Sequence, residues 1–113
     1  MKEIKAVLQP QMLGKVMAAL HALPHFPGAT VVDVTGHGRG RGSGGHYEAT
    51  IDSIYPKRKT RVEILCGDDV CDELVAMIQK AAHTGNPGDG LVWVTEAARV
   101  VRIRTGQEGD EAV

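Results

Sequence analysis

Two hydrophobic periods alternate along this chain. Ile4, Ala6 and Leu8 are separated by Lys5, Val7 and Gln9, the two-residue period of a strand, which ends at Pro10. The period then lengthens. Leu13, Val16, Met17 and Leu20 fall at i, i+3, i+4 and i+7 and share one face of a helix that Pro10 can start and Pro24, Pro27 and Gly28 stop. Residues 29–34 read as a second strand and residues 57–66 as a third, with Val62, Ile64 and Cys66 facing inward. Asp68 is the expected N-cap of a second helix, with Asp69 and Asp72 favoured by the positive end of its dipole. Val70, Leu74, Ile78 and Ala81 form its apolar face, and the glycine-rich residues 84–90 stop it. Residues 91–94 predict a fourth strand, and residues 98–103 a short extended or helical end segment.

The element order is strand, helix, strand, repeated once. Each half is a crossover of fixed hand, and two such halves fold into an α+β, ferredoxin-like βαββαβ arrangement: a four-stranded antiparallel sheet with both helices on one face. A long loop joins the halves. The second sheet face is left without cover, and Val7, Val32, Val34 and Val92 make it too apolar for water alone, so association of subunits is the expected solution.

Length and composition sharpen this picture. The chain has 113 residues, enough for a single domain spanning 1–113 with a real core and too few for two. A formal net charge of -1 excludes a global attraction to nucleic acid or an anionic membrane, so charge recognition must be local. No apolar run approaches the roughly 18 residues that span a bilayer, and residues 1–5 lack a signal-peptide core, so a cytoplasmic protein is expected. Cys66 and Cys71 lack Cys-x-x-Cys spacing and read as buried, reduced thiols.

The candidate chemistry lies in the loops. Gly36, Gly38, Gly40, Gly42, Gly44 and Gly45 free the backbone to approach a ligand, while Arg39 and Arg41 supply charge; a plain flexible linker is the competing reading. A second glycine turn, Gly85 to Gly90, stands before the fourth strand. With Lys59, Arg102 and Arg104, these turns are natural components of a phosphate site in which N–H groups surround the anion and cations neutralise it. Neither turn is a Walker loop or a dinucleotide fingerprint.

The combination resembles a family. Thr84-Gly85-Asn86-Pro87-Gly88-Asp89-Gly90-Leu91-Val92-Trp93-Val94, followed by Ala98-Arg99-Val100-Val101-Arg102-Ile103-Arg104-Thr105-Gly106, is similar to the C-terminal signature of PII signal-transduction proteins. Gly36-His37-Gly38-Arg39 resembles the start of that family's T-loop, and residues 2–10 its first strand. The resemblance implies a homotrimer with ATP or ADP, and AMP as a further option, bound in clefts between subunits. It implies a mobile T-loop over residues 36–58 that signals to a protein target such as a membrane transporter, a C-terminal tail over residues 105–113, and no catalytic residues, slow ATP hydrolysis aside. Phosphate contacts would fall on Gly36, His37, Gly38, Arg39, Lys59, Gly88, Asp89 and Gly90, with Arg102 and Arg104 reaching in from the adjacent subunit. Thr30, Glu63 and Leu65 would lie beside adenine and ribose.

The sequence departs from the family pattern in three places. The glutamine that helps relatives hold Mg-ATP and 2-oxoglutarate is Gly40, which argues against a 2-oxoglutarate response and leaves the Mg²⁺ requirement open. The usual phosphate lysine is Leu91; Lys57, Arg58, Arg39 or Arg41 could replace it, or the site could take fewer phosphates. The tyrosine that many relatives modify by uridylylation is Asp52, so no such modification is expected. Two other classes stay open. His37 and His46 are the candidates for a metal or other small-ligand sensor, although no histidine pair has the spacing of a known motif. The Gly-Arg repeats resemble RNA-binding segments, but with 4% aromatic residues there is almost no stacking platform, and no nucleic acid is expected as a partner.

Overall fold

The computed structural model describes residues 1–37 and 57–113. The first strand, β1 (Lys2–Leu8), leads through a 3-10 turn at Pro10–Met12 into α1 (Leu13–His21). Pro10 stands in the first turn, where its missing N–H costs nothing. Beyond α1 the backbone winds down through Leu23 N–H to Leu20 O at 3.0 Å and Phe26 N–H to Leu23 O at 3.2 Å. Strand β2 (Thr30–Gly36), strand β3 (Lys57–Cys66), helix α2 (Asp68–Ala82) and strand β4 (Gly90–Glu96) complete the frame. A 3-10 turn at Gly109–Ala112 follows near the end.

The four strands pair in the order β2-β3-β1-β4, every neighbour antiparallel. Each helix therefore crosses over one intervening strand, the split crossover of a ferredoxin-like sheet. The third strand has the expected bounds; the second and fourth each run two residues further than the apolar pattern marks, to Gly36 and Glu96. Of the long loop between the halves, residues 38–56 lie outside the described residues.

The core forms on one side of the sheet. Ile4, Ala6 and Leu8 meet Val62, Ile64 and Cys66, and the helices add Val16, Leu20, Leu74 and Ile78; all are buried. The spacing predicted these faces, and each large aliphatic side chain here contributes about 1.5–3 kcal/mol by leaving water. Two expectations change. The N-cap of α2 is Gly67, in extended conformation, and Asp68 is the first helical residue, its carboxylate 3.0 Å from the Met1 amine. Val92 pairs with Ala6 and packs on the helix-covered face, so Leu91 and Trp93 take its place on the open one. A strand pairing fixes every side chain's face at once, and the register here puts the odd-numbered residues of β4 outward.

Candidate functional site

The open face carries the strand-borne candidates together. Thr30 lies opposite Glu63, Val34 opposite Lys59 and Gly36 opposite Lys57. Because alternate residues share a face, Lys59, Arg61, Glu63 and Leu65 form one row along β3, opposite in direction to the buried Thr60, Val62, Ile64 and Cys66. Thr30 and Gly36 belong to the neighbouring row on β2. Lys59 to Leu65 covers about 20 Å of strand, a track suited to an elongated ligand. In its middle, Arg61 Nε donates to Glu63 Oε1 at 2.8 Å, so the Glu63 carboxylate is already paired.

At one end of the track the two halves of the chain meet. Lys59 Nζ donates to the Gly88 carbonyl at 3.2 Å. Gly36 packs so closely that a Cβ placed on it would lie 3.3 Å from Lys59 Cγ. Gly90 opens β4 opposite Leu8 with φ of +103°, and a Cβ there would sit 1.8 Å from the Val7 carbonyl oxygen, so only glycine fits. The structure thus brings Gly36, Lys59, Gly88 and Gly90 to one corner. His37, next along the chain, is exposed. Gly38, Arg39 and His46 lie outside the described residues.

Asp89 is held inside its own turn. Its Oδ2 accepts from the N–H of Thr84 at 2.7 Å and of Gly85 at 3.0 Å, and its Oδ1 accepts from the Thr84 hydroxyl. These bonds, the hydroxyl's first, hold the carboxyl below the usual aspartate range. Sequence reasoning did not single out Thr84 as a site residue; the signal was there in a hydroxyl five residues before an aspartate across a glycine turn. It also missed Gln9, whose amide Nε2 is 3.5 Å from where a Gly88 Cβ would stand. Gln9 follows Leu8, and the pairing of Leu8 with Gly90 puts it at this corner.

The two arginines are elsewhere in the subunit. Strand β4 leaves the sheet at Glu96, opposite Lys2, and Ala97 N–H donates to Met1 O at 3.1 Å. The following segment is neither a strand nor a helix: Val101 forms a single bridge with Glu108, and Gly106 N–H closes a turn on Arg102 O at 2.7 Å. Residues 105–113 fold back on this turn. Arg102 Nε donates to Ala112 O at 3.1 Å, Ala112 is buried, and Asp110 Oδ1 lies 3.1 Å from the position of a Gly67 Cβ. This anchors the segment bearing Arg102 and Arg104 at the end of the sheet away from Lys59, about 20 Å along the strands.

Two further groups bear on chemistry. Cys66 and Cys71 are free and buried, as their positions predicted, and desolvation by burial, with Cys71 alongside, pushes the Cys66 thiol up to about 11. Among the described residues, no group of three His, Cys, Asp or Glu side chains is placed to hold a metal ion. Among those residues, too, no helix is long and apolar enough to cross a membrane.

The glycine corner, the open-face track and the C-terminal turn occur together on a chain whose residues 1–107 match the family model described as nitrogen regulatory protein P-II. The chain belongs to the P-II family of nitrogen regulatory proteins. It is 37% identical over 113 residues to the nitrogen regulatory protein P-II of Azospirillum brasilense, covering all of both chains. It is 38% identical over 112 residues to the nitrogen regulatory protein GlnK of Escherichia coli strain K12, covering 99% of this chain and 98% of the relative. With nitrogen regulatory protein P-II 1 of the same strain it shares 40% over 113 residues, again all of both chains. This P-II family member therefore spans at least 98% of the length of each of these relatives, and the family it joins is one of regulators.

Proposed function

We propose that this P-II family member is a non-catalytic, cytoplasmic regulator of nitrogen metabolism that works as a homotrimer. It binds ATP or ADP, with AMP as a further option, between subunits and signals through residues 36–58 to a protein target such as a membrane transporter. The observation that carries this reading is the division of one set of anion-binding parts between opposite ends of the subunit. Lys59, Gly36, Gly88 and Gly90 stand at one end, whereas the segment with Arg102 and Arg104 is anchored at the other. In one subunit the set is incomplete, and a neighbour's arginines complete it.

The open face supports the assembly. Leu91, Trp93 and Leu65 are 74%, 40% and 39% exposed in the single chain, a large apolar area for one side of a sheet. In the proposed site, phosphates sit at the Lys59 end, where an ammonium and glycine N–H groups can meet them. Adenine and ribose extend along Thr30, Glu63 and Leu65, which lie on the same face. Arg39 and Gly38 would close the phosphate end from the loop. With Gly40 and Leu91 where relatives have side chains for Mg-ATP and phosphate, no 2-oxoglutarate dependence is expected.

Calorimetry with ATP, ADP and AMP, with and without Mg²⁺ and 2-oxoglutarate, tests the reading, which fails if no adenine nucleotide binds below millimolar. Lys59→Ala and Arg102→Ala should each lose nucleotide binding. Trimers assembled from a mixture of the two variants should regain some of it, because some clefts then contain both intact halves. Mixed trimers as inactive as the parents would place both residues in the same subunit's site.

A further inference from the structure

An aspartate in the middle of a glycine turn that faces phosphates is electrostatically misplaced if it points at the ligand, since like charges at close range repel. Here its oxygens are taken up within the turn itself. Asp89 Oδ2 accepts from the N–H of Thr84 and Gly85 at 2.7 and 3.0 Å, Oδ1 accepts from the Thr84 hydroxyl, and that hydroxyl accepts from Asn86 N–H at 3.2 Å. Three successive N–H groups on the first limb of the turn are thereby turned inward. His83 Nδ1, on the residue before, stands 3.8 Å from Oδ2. The second limb has positive φ at Gly88 and Gly90, +96° and +103°, and its Gly88 carbonyl meets Lys59 Nζ.

We propose that Asp89 is a positioning residue: with Thr84 it clasps the 84–90 turn, and the clasp sets the glycine limb against Lys59 so that both face one phosphate group. This rests on the nucleotide reading above. The clasp acts through geometry and touches no ligand atom. It also directs the only acid of the turn away from the phosphates. The Lys59 contact with Gly88 O is part of the same device, because it holds the ammonium at the corner before a phosphate arrives.

Calorimetry on the full chain with two probes, ADP and adenosine, separates this role from others. Asp89→Asn keeps the shape and removes the second charged acceptor; Thr84→Val keeps the shape and removes the hydroxyl. Each should weaken ADP binding about tenfold or more while leaving adenosine within about twofold. Thr84→Ser should restore ADP binding close to wild type, and the double variant should lose no more than the worse single one. Unchanged or tighter ADP binding by Asp89→Asn would overturn the proposal, the tighter case marking the carboxylate as a like charge facing the phosphates. Equal losses for ADP and adenosine would overturn it too, by showing general damage to the fold. If Asp89→Asn does not fold, the Thr84→Val and Thr84→Ser pair decides. A wild type that binds neither probe removes the nucleotide reading and the clasp's role with it, whereas a wild type that binds ADP beside an indifferent Thr84→Val removes the clasp alone.

Discussion

At the residue scale, glycines that look alike in sequence differ sharply in the fold. Gly90 has positive φ and a backbone oxygen 1.8 Å from the position of a Cβ, whereas Gly106, with φ of +74°, has nothing within 4 Å. Gly90→Ala should cost well over about 3 kcal/mol and Gly106→Ala about 1–2 kcal/mol in urea unfolding, because only the first adds a backbone clash to the strain. Cys66 offers a pH test. Burial pushes its folded thiol up to about 11, above the value near 8.5 expected in the unfolded chain. Between those values the folded state holds more protons, so stability should fall as pH rises from about 8.5 to 11. Urea midpoints measured across that window should show the slope, and Cys66→Ala should make it shallower. Glycine turns were legible here, since few residues other than glycine serve such backbones. Asp89 was legible as a member of the glycine turn, but the direction of its carboxylate was not: that depends on how the turn folds around Thr84.

At the element scale, the helices illustrate what periodicity can and cannot show. Leu74 and Ile78 were legible as core because a four-residue spacing repeats one face, and both are buried at 1% and 2% exposure. Leu74→Ala should destabilise by about 2–5 kcal/mol in chemical denaturation, while Lys80→Ala, on the exposed face of the same helix, should stay within about 0.5 kcal/mol. The start of α2 was less legible. Asp68 has the side chain of a good N-cap, yet its carboxylate is drawn to the Met1 amine, and the cap position falls to Gly67. That ion pair joins residues distant in sequence, which a local pattern does not show. The C-terminal segment escaped pattern reading for a related reason: one bridge and a tight turn leave no repeated period to detect.

At the scale of the whole molecule, the sheet register decides which residues act together. Trp93 pairs with Lys5 and faces outward beside Val7, on the face proposed to pack between subunits. Trp93→Asp would bury a charge there, so sedimentation should show dissociation toward the monomer, with nucleotide binding lost in parallel because the clefts vanish. A variant that stays trimeric would move the interface elsewhere. The alternation of residues determined the strands, the helices, their order and most of the core, because burial on one side of each element repeats with the backbone's own period. The glycine turn at residues 84–90 was legible as a turn, since Gly85, Gly88 and Gly90 take the positive φ that glycine readily adopts. Only the tertiary structure decided that Val92 faces inward and Trp93 outward, that Lys59 rests on Gly88, that Asp89 clasps its own turn, and that the segment bearing Arg102 is anchored at the far end. Each of these depends on pairing between residues distant in sequence, and a local pattern carries no record of the register in which distant strands meet.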